Sequence, residues 1–106
     1  MSGVARYVKM TARPGQGEAL AAKMLGVAES LANTPGCELY LVNRGAQAPD
    51  EVWITELWQS QEAVDASLRA LGTEAGQAQL GEVMGLLAGP PQRTDLTPLG
   101  GVGAPR

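Results

Sequence analysis

The segment EVWITELW, residues 51–58, constrains the fold of this chain more than any other. Its alternation of side chains is typical of a β-strand. The residues that point one way include Val52 and Ile54, and those that point the other way are Trp53, Thr55 and Leu57. Both sets are largely apolar, so both faces of this strand have to be covered.

Proline and glycine divide the rest of the chain into further elements. Strands are predicted over 4–12, 37–45, 51–58 and 92–99, and helices over 17–33, from Ser60 to Gly72 and from Thr73 through Ala88. Ser60 and Thr73 are the predicted N-caps of the second and third helices. The inward stripes of the three helices are Leu20, Met24, Val27 and Leu31; Val64, Ser67, Leu68 and Leu71; and Leu80, Val83, Met84 and Leu87.

The order strand, helix, strand, strand, broken helical segment, strand predicts an α+β fold. It is the ferredoxin-like βαββαβ arrangement with a mostly antiparallel four-stranded sheet. Its helices cover one face of the sheet, and the apolar character of the other face predicts a homodimer that closes two sheets into a dimeric α/β barrel. We expect one domain over residues 1–99 and a flexible C-terminal tail over 100–106, GGVGAPR.

Composition excludes several classes of protein. The net charge is −3 and the eight basic residues are scattered, which argues against a nucleic-acid partner. No apolar run approaches the roughly 20 residues that span a bilayer, and no signal peptide is recognisable, so we expect no membrane partner. The single cysteine, Cys37, fits a reducing, cytoplasmic location. The absence of histidine argues against zinc, copper or haem iron, and no glycine-rich loop follows a strand, so no cofactor is expected.

Short motifs at matching distances point to a known family. They are PG after the first strand, PGC before the second, ELWQSQEAVDAS over 56–67, and GPP followed by LTPLG near the end. In this order they resemble the antibiotic biosynthesis monooxygenase family, the dimeric α/β-barrel relatives of quinol and anthrone monooxygenases, over about residues 4–99. The resemblance implies oxidation of an electron-rich phenol, quinol or anthrone by O₂ without flavin, metal or haem, because the deprotonated ring itself supplies the electrons.

The chain departs from this family at several functional positions. Many members have a histidine where this chain has Ser67. Haem-degrading relatives need that histidine as an iron ligand, so the resemblance argues against haem degradation. The asparagine and tyrosine of the anthrone-oxidising branch align with Ile54 and Val64, and its arginine aligns with Gly81. Of that set only the tryptophan, Trp58, is retained. The resemblance therefore implies a family and a pocket more strongly than it implies a mechanism.

Four residues are candidates for catalysis, and three of them, Trp58, Ser67 and Glu56, have a structural alternative. Trp58 could donate its indole N–H to a substrate oxygen, or it could fill the junction of strand and helix. Ser67 could contact substrate, although a helical serine more often bonds to a carbonyl one turn earlier. Glu56 could act as general base, but an ion pair with Arg6, Lys9 or Arg44 is the favoured alternative. Arg6 is the other candidate for managing the substrate's proton.

The remaining predicted site residues would bind the substrate through their side chains. They are Tyr40, which could instead lie in the dimer interface, and the apolar residues Val8, Ile54, Val64, Leu68 and Met84. Cys37 is interpreted as a small buried strand residue, since no histidine could activate it. The sequence thus favours a cofactor-independent monooxygenase that acts on a small aromatic, polyketide-like substrate with O₂. An isomerase, cyclase or lyase in the same pocket, or a non-catalytic aromatic-binding protein, is the alternative.

Overall fold

A computed structural model describes residues 3–70 and 72–103 of the chain. Its elements are β1 Val4–Thr11, α1 Gly17–Ser30, β2 Cys37–Arg44, β3 Glu51–Trp58, α2 Gln61–Ala70, α3 Glu74–Gly85 and β4 Gln92–Leu96. The strands form one sheet in the order β2-β3-β1-β4, and each neighbouring pair is antiparallel. The predicted α+β, ferredoxin-like fold is confirmed.

The predicted boundaries hold best for β3 and least well at the ends of helices. Helix α1 ends at Ser30, three residues before the predicted end, and Leu31 is its C-cap. Helix α3 ends at Gly85 because the residues that follow bond to the end of β1: Leu87 bridges Ala12, and the N–H of Ala88 donates to the carbonyl of Thr11 at 2.8 Å. These contacts are made between segments more than 70 residues apart, so helical periodicity could not predict them.

Both predicted N-caps are confirmed. The Ser60 hydroxyl accepts a hydrogen bond from the N–H of Ala63 at 3.1 Å, and the Thr73 hydroxyl accepts one from Gly76 at 3.1 Å. Strand β4 ends at Leu96, before the predicted end at residue 99, and Pro98 cannot donate a ladder hydrogen bond. Leu71, which was predicted in the inward stripe of the second helix, lies outside the described residues. Residues 104–106 of the predicted tail also lie outside them.

The hydrophobic core lies between the helices and one face of the sheet. Val52, Ile54, Glu56 and Trp58 alternate along β3, and all four are buried on that face, as the strand pattern predicts. The core members are Val8, Ala12, Leu20, Met24, Val52, Ile54, Val83 and Leu87. The prediction that Leu80 and Met84 point inward is wrong: α3 packs on the core through Val83, and the side chains of Leu80 and Met84 are exposed.

The turn before β2 brings α2 against the end of the sheet. Gly36 has a φ of 83°, a left-handed conformation that favours glycine, and an added Cβ would lie 2.4 Å from the Cβ of Ala63. Its carbonyl accepts a hydrogen bond from the N–H of Gln59 at 2.8 Å. The start of β2, the end of β3 and the first turn of α2 are therefore held together at one end of the molecule.

The opposite face of the sheet is apolar and not covered by any described helix. Tyr7, Leu39, Leu41 and Leu96 are exposed there, beside Trp53 and Leu57 of β3. The Tyr7 and Trp53 rings lie 5.3 Å apart between centroids, and the ammonium of Lys9 lies 5.3 Å from the Trp53 ring centroid. This uncovered surface is the open face of the sheet.

Candidate functional site

A cavity of about 770 Å³ opens between the helices and the sheet at the end held by Gly36. Its floor is formed by β1, β2 and β3, and its walls by the end of α1, the turn after it, α2 and the first turns of α3. The lining residues are Arg6, Val27, Ser30, Leu31, Thr34, Pro35, Tyr40, Glu56, Trp58, Ala66, Ser67, Leu68, Ala70, Ala75, Gly76 and Gln79. This volume lies within the range of about 300–1,000 Å³ that is usual for small-molecule sites.

A row of polar residues crosses the sheet at the cavity floor. Strand register places Tyr40 opposite Glu56, Glu56 opposite Arg6, and Arg6 opposite Asp95. Directly opposite residues in antiparallel strands have Cβ atoms about 4.5–5.5 Å apart. The first three members of the row line the cavity. The phenol of Tyr40, the carboxylate of Glu56 and the guanidinium of Arg6 are therefore close enough together to bind one ligand.

Glu56 and Trp58 form a buried hydrogen bond within this floor. The indole Nε1 of Trp58 donates to Oε1 of Glu56 over 2.9 Å, since residues two apart on a strand share a face. The predicted donation from Trp58 to a substrate oxygen is therefore replaced by donation to Glu56. The second oxygen of Glu56 receives no hydrogen bond from the described residues, which leaves it for a proton of the ligand.

The expectation that Glu56 forms an ion pair with a basic neighbour is wrong: among the described residues, no basic side chain forms an ion pair with it. Lys9 pairs instead with Glu51 at 3.7 Å, because both lie on the open face. Arg44 donates from Nε to the carbonyl of Pro49 at 2.7 Å, near the far end of β2. Arg6 faces Glu56 across the β1–β3 ladder, but its recorded ion pair is with Asp95.

Arg6 is the least satisfied polar residue of the cavity. Its side chain is 12% exposed, and its Nε is a buried nitrogen for which the described residues provide no hydrogen-bond acceptor. The nearest carboxylate oxygen, Oδ1 of Asp95, lies 3.9 Å from Nε, which is too long for a hydrogen bond. Asp95 is also shared with Arg93, whose Nε lies 3.3 Å away. The charge of Arg6 is thus only weakly compensated by the protein.

Tyr40 and Cys37 both remain protonated at neutral pH. Burial raises the pKa of the Tyr40 phenol, and the nearby Glu56 carboxylate raises it further, against a smaller opposite effect of Arg6. Burial, and then Glu56, also raises the pKa of the Cys37 thiol. Tyr40 is therefore suited to donate a hydrogen bond but not to act as a base, and Cys37 is a thiol and not a nucleophilic thiolate.

Ser67 lies on the cavity wall but is engaged with its own helix. Its hydroxyl donates to the carbonyl of Val64 at 2.7 Å, as the structural alternative for a helical serine predicts. A ligand could still donate to the hydroxyl oxygen, since each hydroxyl has two acceptor lone pairs.

Six of the ten predicted site residues meet at this cavity. They are Arg6, Tyr40, Glu56, Trp58, Ser67 and Leu68. Val8 and Ile54 form the next pair along the same face of the sheet and lie within the core, and Val64 is buried without lining the cavity. Met84 is exposed on α3, away from the lining residues.

Sequence reasoning missed the small residues of the helical wall. Ala66 and Ala70 of α2, with Ala75 and Gly76 of α3, line the cavity and leave space between the two helices. Alanine and glycine give little periodic signal, so only the packing of α2 and α3 reveals this role. Val27 and Leu31 were predicted as an apolar stripe of the first helix, and that stripe also forms part of the cavity wall.

Residues 3–70 and 72–103 contain neither a membrane-spanning helix nor a cluster of metal ligands. None of the described helices has the length and apolar character required to cross a membrane. Within the same residues, His, Cys, Asp and Glu side chains form no group of three or more that could hold a metal ion.

Fold and cavity together define a ferredoxin-like domain with a lined cavity between sheet and helices. The family model described as antibiotic biosynthesis monooxygenase matches residues 3–79 of the chain. Because this match covers well over half of the sequence, the chain belongs to the antibiotic biosynthesis monooxygenase family, and the resemblance seen in its motifs is confirmed.

Solved structures agree with this assignment. A provisionally assigned antibiotic biosynthesis monooxygenase from Chloroflexus aurantiacus is 34% identical, with a TM-score of 0.78 and coverage of 96% of this chain and 98% of the other. Rv0793 from Mycobacterium tuberculosis is 25% identical, with a TM-score of 0.78 over 96% and 100% of the two chains. SnoaB, a cofactor-independent oxygenase from Streptomyces nogalater, shares the fold at 14% identity, with a TM-score of 0.79 over 98% and 100%. No curated protein matches the sequence.

Proposed function

We propose that this protein is a cofactor-independent monooxygenase that oxidises a small aromatic quinol, anthrone or related polyketide-like compound with O₂. The observation that carries the proposal is the buried carboxylate of Glu56, which lines the cavity and is held in place by the indole of Trp58. Membership of a family described by monooxygenase activity, and the printed description of SnoaB as a cofactor-independent oxygenase, support the same reaction class.

In the proposed reaction Glu56 removes the acidic proton of the bound ring. The O–H or C–H bond breaks, the proton goes to the free oxygen of the carboxylate, and the electron pair stays on the ring. The resulting anion is electron-rich enough to transfer one electron to O₂, after which the two radicals combine. For an anthrone the balance is one substrate and one O₂ giving one quinone and one water. No additional reductant is required, because the substrate supplies all the electrons.

The cavity suits such a substrate in size and polarity. Val27, Leu31 and Leu68 provide apolar contacts from α1, its C-terminal end and α2, and the small residues between α2 and α3 leave width for a fused ring. The two charged lining residues, Arg6 and Glu56, both lie on the sheet floor, where they would fix one edge of the ring. Exclusion of bulk water by the helical wall would protect the reactive anion.

Two other functions would use the same pocket. An isomerase, cyclase or lyase needs the same anion without O₂, and a binding protein needs neither step. Oxygen uptake by the purified protein with 1,8-dihydroxyanthrone tests the proposal directly. Uptake above the uncatalysed rate supports a monooxygenase, conversion of an aromatic compound under argon favours the isomerase group, and tight binding without turnover favours a binding protein.

We expect Trp58→Phe to lower kcat by about 10-fold, because a hydrogen bond to a charged group is lost from the proposed base while most of the apolar volume is kept. Trp53→Phe is a matched control, since the Trp53 indole donates to Glu51 at 3.2 Å on the open face. Steady-state rates and melting temperatures of both variants provide the check. Full activity in Trp58→Phe with lowered stability would assign Trp58 a packing role alone.

The open face leads us to propose a homodimer. Exposed Leu39, Leu41 and Leu96 beside Trp53 form an apolar surface that a second copy would cover, and a stable interface buries roughly 1,200–2,000 Å² in total. We expect light scattering to give twice the monomer mass at micromolar concentration and Leu41→Glu to give a monomer. Leu25→Glu, at an exposed position of α1, is the control. A wild-type monomer would contradict the prediction.

A further inference from the structure

Arg6 is a buried, positively charged residue of the cavity floor that the proposed proton transfer does not use. It is the member of the polar row whose charge is only loosely paired, at 3.9 Å from Asp95, and its buried Nε has no acceptor among the described residues. A buried N–H without an acceptor costs stability, and a buried charge is costly unless it is paired. Because Arg6 lines the cavity, an anionic oxygen of the ligand is the group that would compensate the charge of its guanidinium there.

Asp95 does not fulfil this role. Its side chain is 64% exposed on the edge strand β4, its oxygen lies 3.9 Å from Nε of Arg6, and it lies closer to Arg93. Ion pairs at such exposed positions contribute little because water screens them. Arg6 therefore keeps most of its capacity to bind an anionic oxygen on the cavity side.

Glu56 lies directly opposite Arg6 in the register, and the two line the same cavity without forming an ion pair with each other. A single hydroxyl between them could donate its proton to the carboxylate and accept a hydrogen bond from the guanidinium. When that O–H bond breaks, the proton is on Glu56 and the negative charge is on the oxygen that faces Arg6. The neutral phenol of Tyr40, opposite Glu56 on β2, is a further donor at this floor.

We propose that Arg6 binds the ionised oxygen of the substrate, so that the pocket selects compounds with an acidic hydroxyl, phenols and enols, over their ethers. This inference rests on the proposed function for the identity of the pocket, and it adds the ligand's charge and the residue that recognises it. Donors placed where negative charge develops stabilise the anion before O₂ reacts. The same recognition would serve the isomerase alternative.

The test is equilibrium binding of 4-nitro-1-naphthol at a pH where this probe is ionised, with 1-methoxy-4-nitronaphthalene as the ether that cannot ionise. We expect Arg6→Met to weaken binding of the ionised probe by about 10- to 100-fold, the loss of a charge-assisted hydrogen bond, and to leave ether binding unchanged. Arg6→Lys keeps the charge and should retain part of the affinity. Arg93→Met removes an equivalent charge outside the cavity and should have no effect.

Glu56→Gln separates this inference from the proposed reaction. Removal of the neighbouring negative charge should tighten binding of the ionised probe, whereas it should stop turnover if Glu56 is the base. Binding that depends on Arg6 in a protein without oxygen uptake would support the inference and contradict the monooxygenase. Equal affinity of wild type, Arg6→Met and Arg6→Lys for the ionised probe, with all three folded by circular dichroism, would overturn the inference whatever the activity.

Discussion

Replacement of Glu56 by Gln is expected to lower kcat by about 10²–10⁴-fold, the usual contribution of a general base. Glutamine has nearly the same shape and can still accept the hydrogen bond from Trp58, so the cavity is preserved. What is lost is the ability to take a proton from the ring. Substrate binding should remain, and this distinguishes a chemical role from a structural one.

Glu51→Gln is the matched control for that experiment. Glu51 and Glu56 lie on the same strand, and each accepts a hydrogen bond from the tryptophan two residues later, but Glu51 lies outside the cavity. Steady-state kinetics of the two variants, with melting temperatures, isolate the effect of position. Equal rates for Glu56→Gln and wild type would remove Glu56 from the mechanism.

The largest effect on stability is expected at Leu20 of α1. Leu20 is 0% exposed at the centre of the core, so Leu20→Ala should lower the free energy of unfolding by about 2–5 kcal/mol through lost burial and a residual cavity. For a domain of this size, that corresponds to a decrease in Tm of at least about 8 °C. Leu25 lies on the same helix but is 56% exposed, and Leu25→Ala should change Tm little. Similar losses for both variants would contradict the packing described for α1.

The fold was largely predictable because strand and helix patterns are local. The period of two in residues 51–58 correctly placed Glu56 and Trp58 on the same buried face as Ile54. The end of α3 was not predictable, since it depends on the bond from Ala88 to Thr11 in a distant strand. Met84 was misplaced because it is the sequence neighbour of Val83, and only the packing of α3 decides which of the two is buried.

The site was predictable only in part, for reasons of side-chain geometry. A shared strand face brings Trp58 and Glu56 together, but side-chain rotamers decide that the indole donates to the carboxylate and not to a ligand. Register explains why Val8 and Ile54 miss the cavity: they are partners in the row next to Arg6 and Glu56, and α1 covers that row with Leu20 and Met24. The weak pairing of Arg6 with Asp95, and the lack of a hydrogen-bond acceptor for its Nε among the described residues, depend on distances to β4 that no sequence pattern encodes.

The most direct test of a monooxygenase without a cofactor follows oxygen atoms from isotopically labelled O₂. Protein freed of metal and flavin by chelation and dialysis would be incubated with 1,8-dihydroxyanthrone and labelled O₂, and the product analysed by mass spectrometry. The proposed reaction predicts one labelled oxygen in each quinone formed, at a rate above the uncatalysed reaction that Glu56→Gln removes. Unlabelled product, or turnover that appears only when flavin or a metal ion is added back, would contradict it.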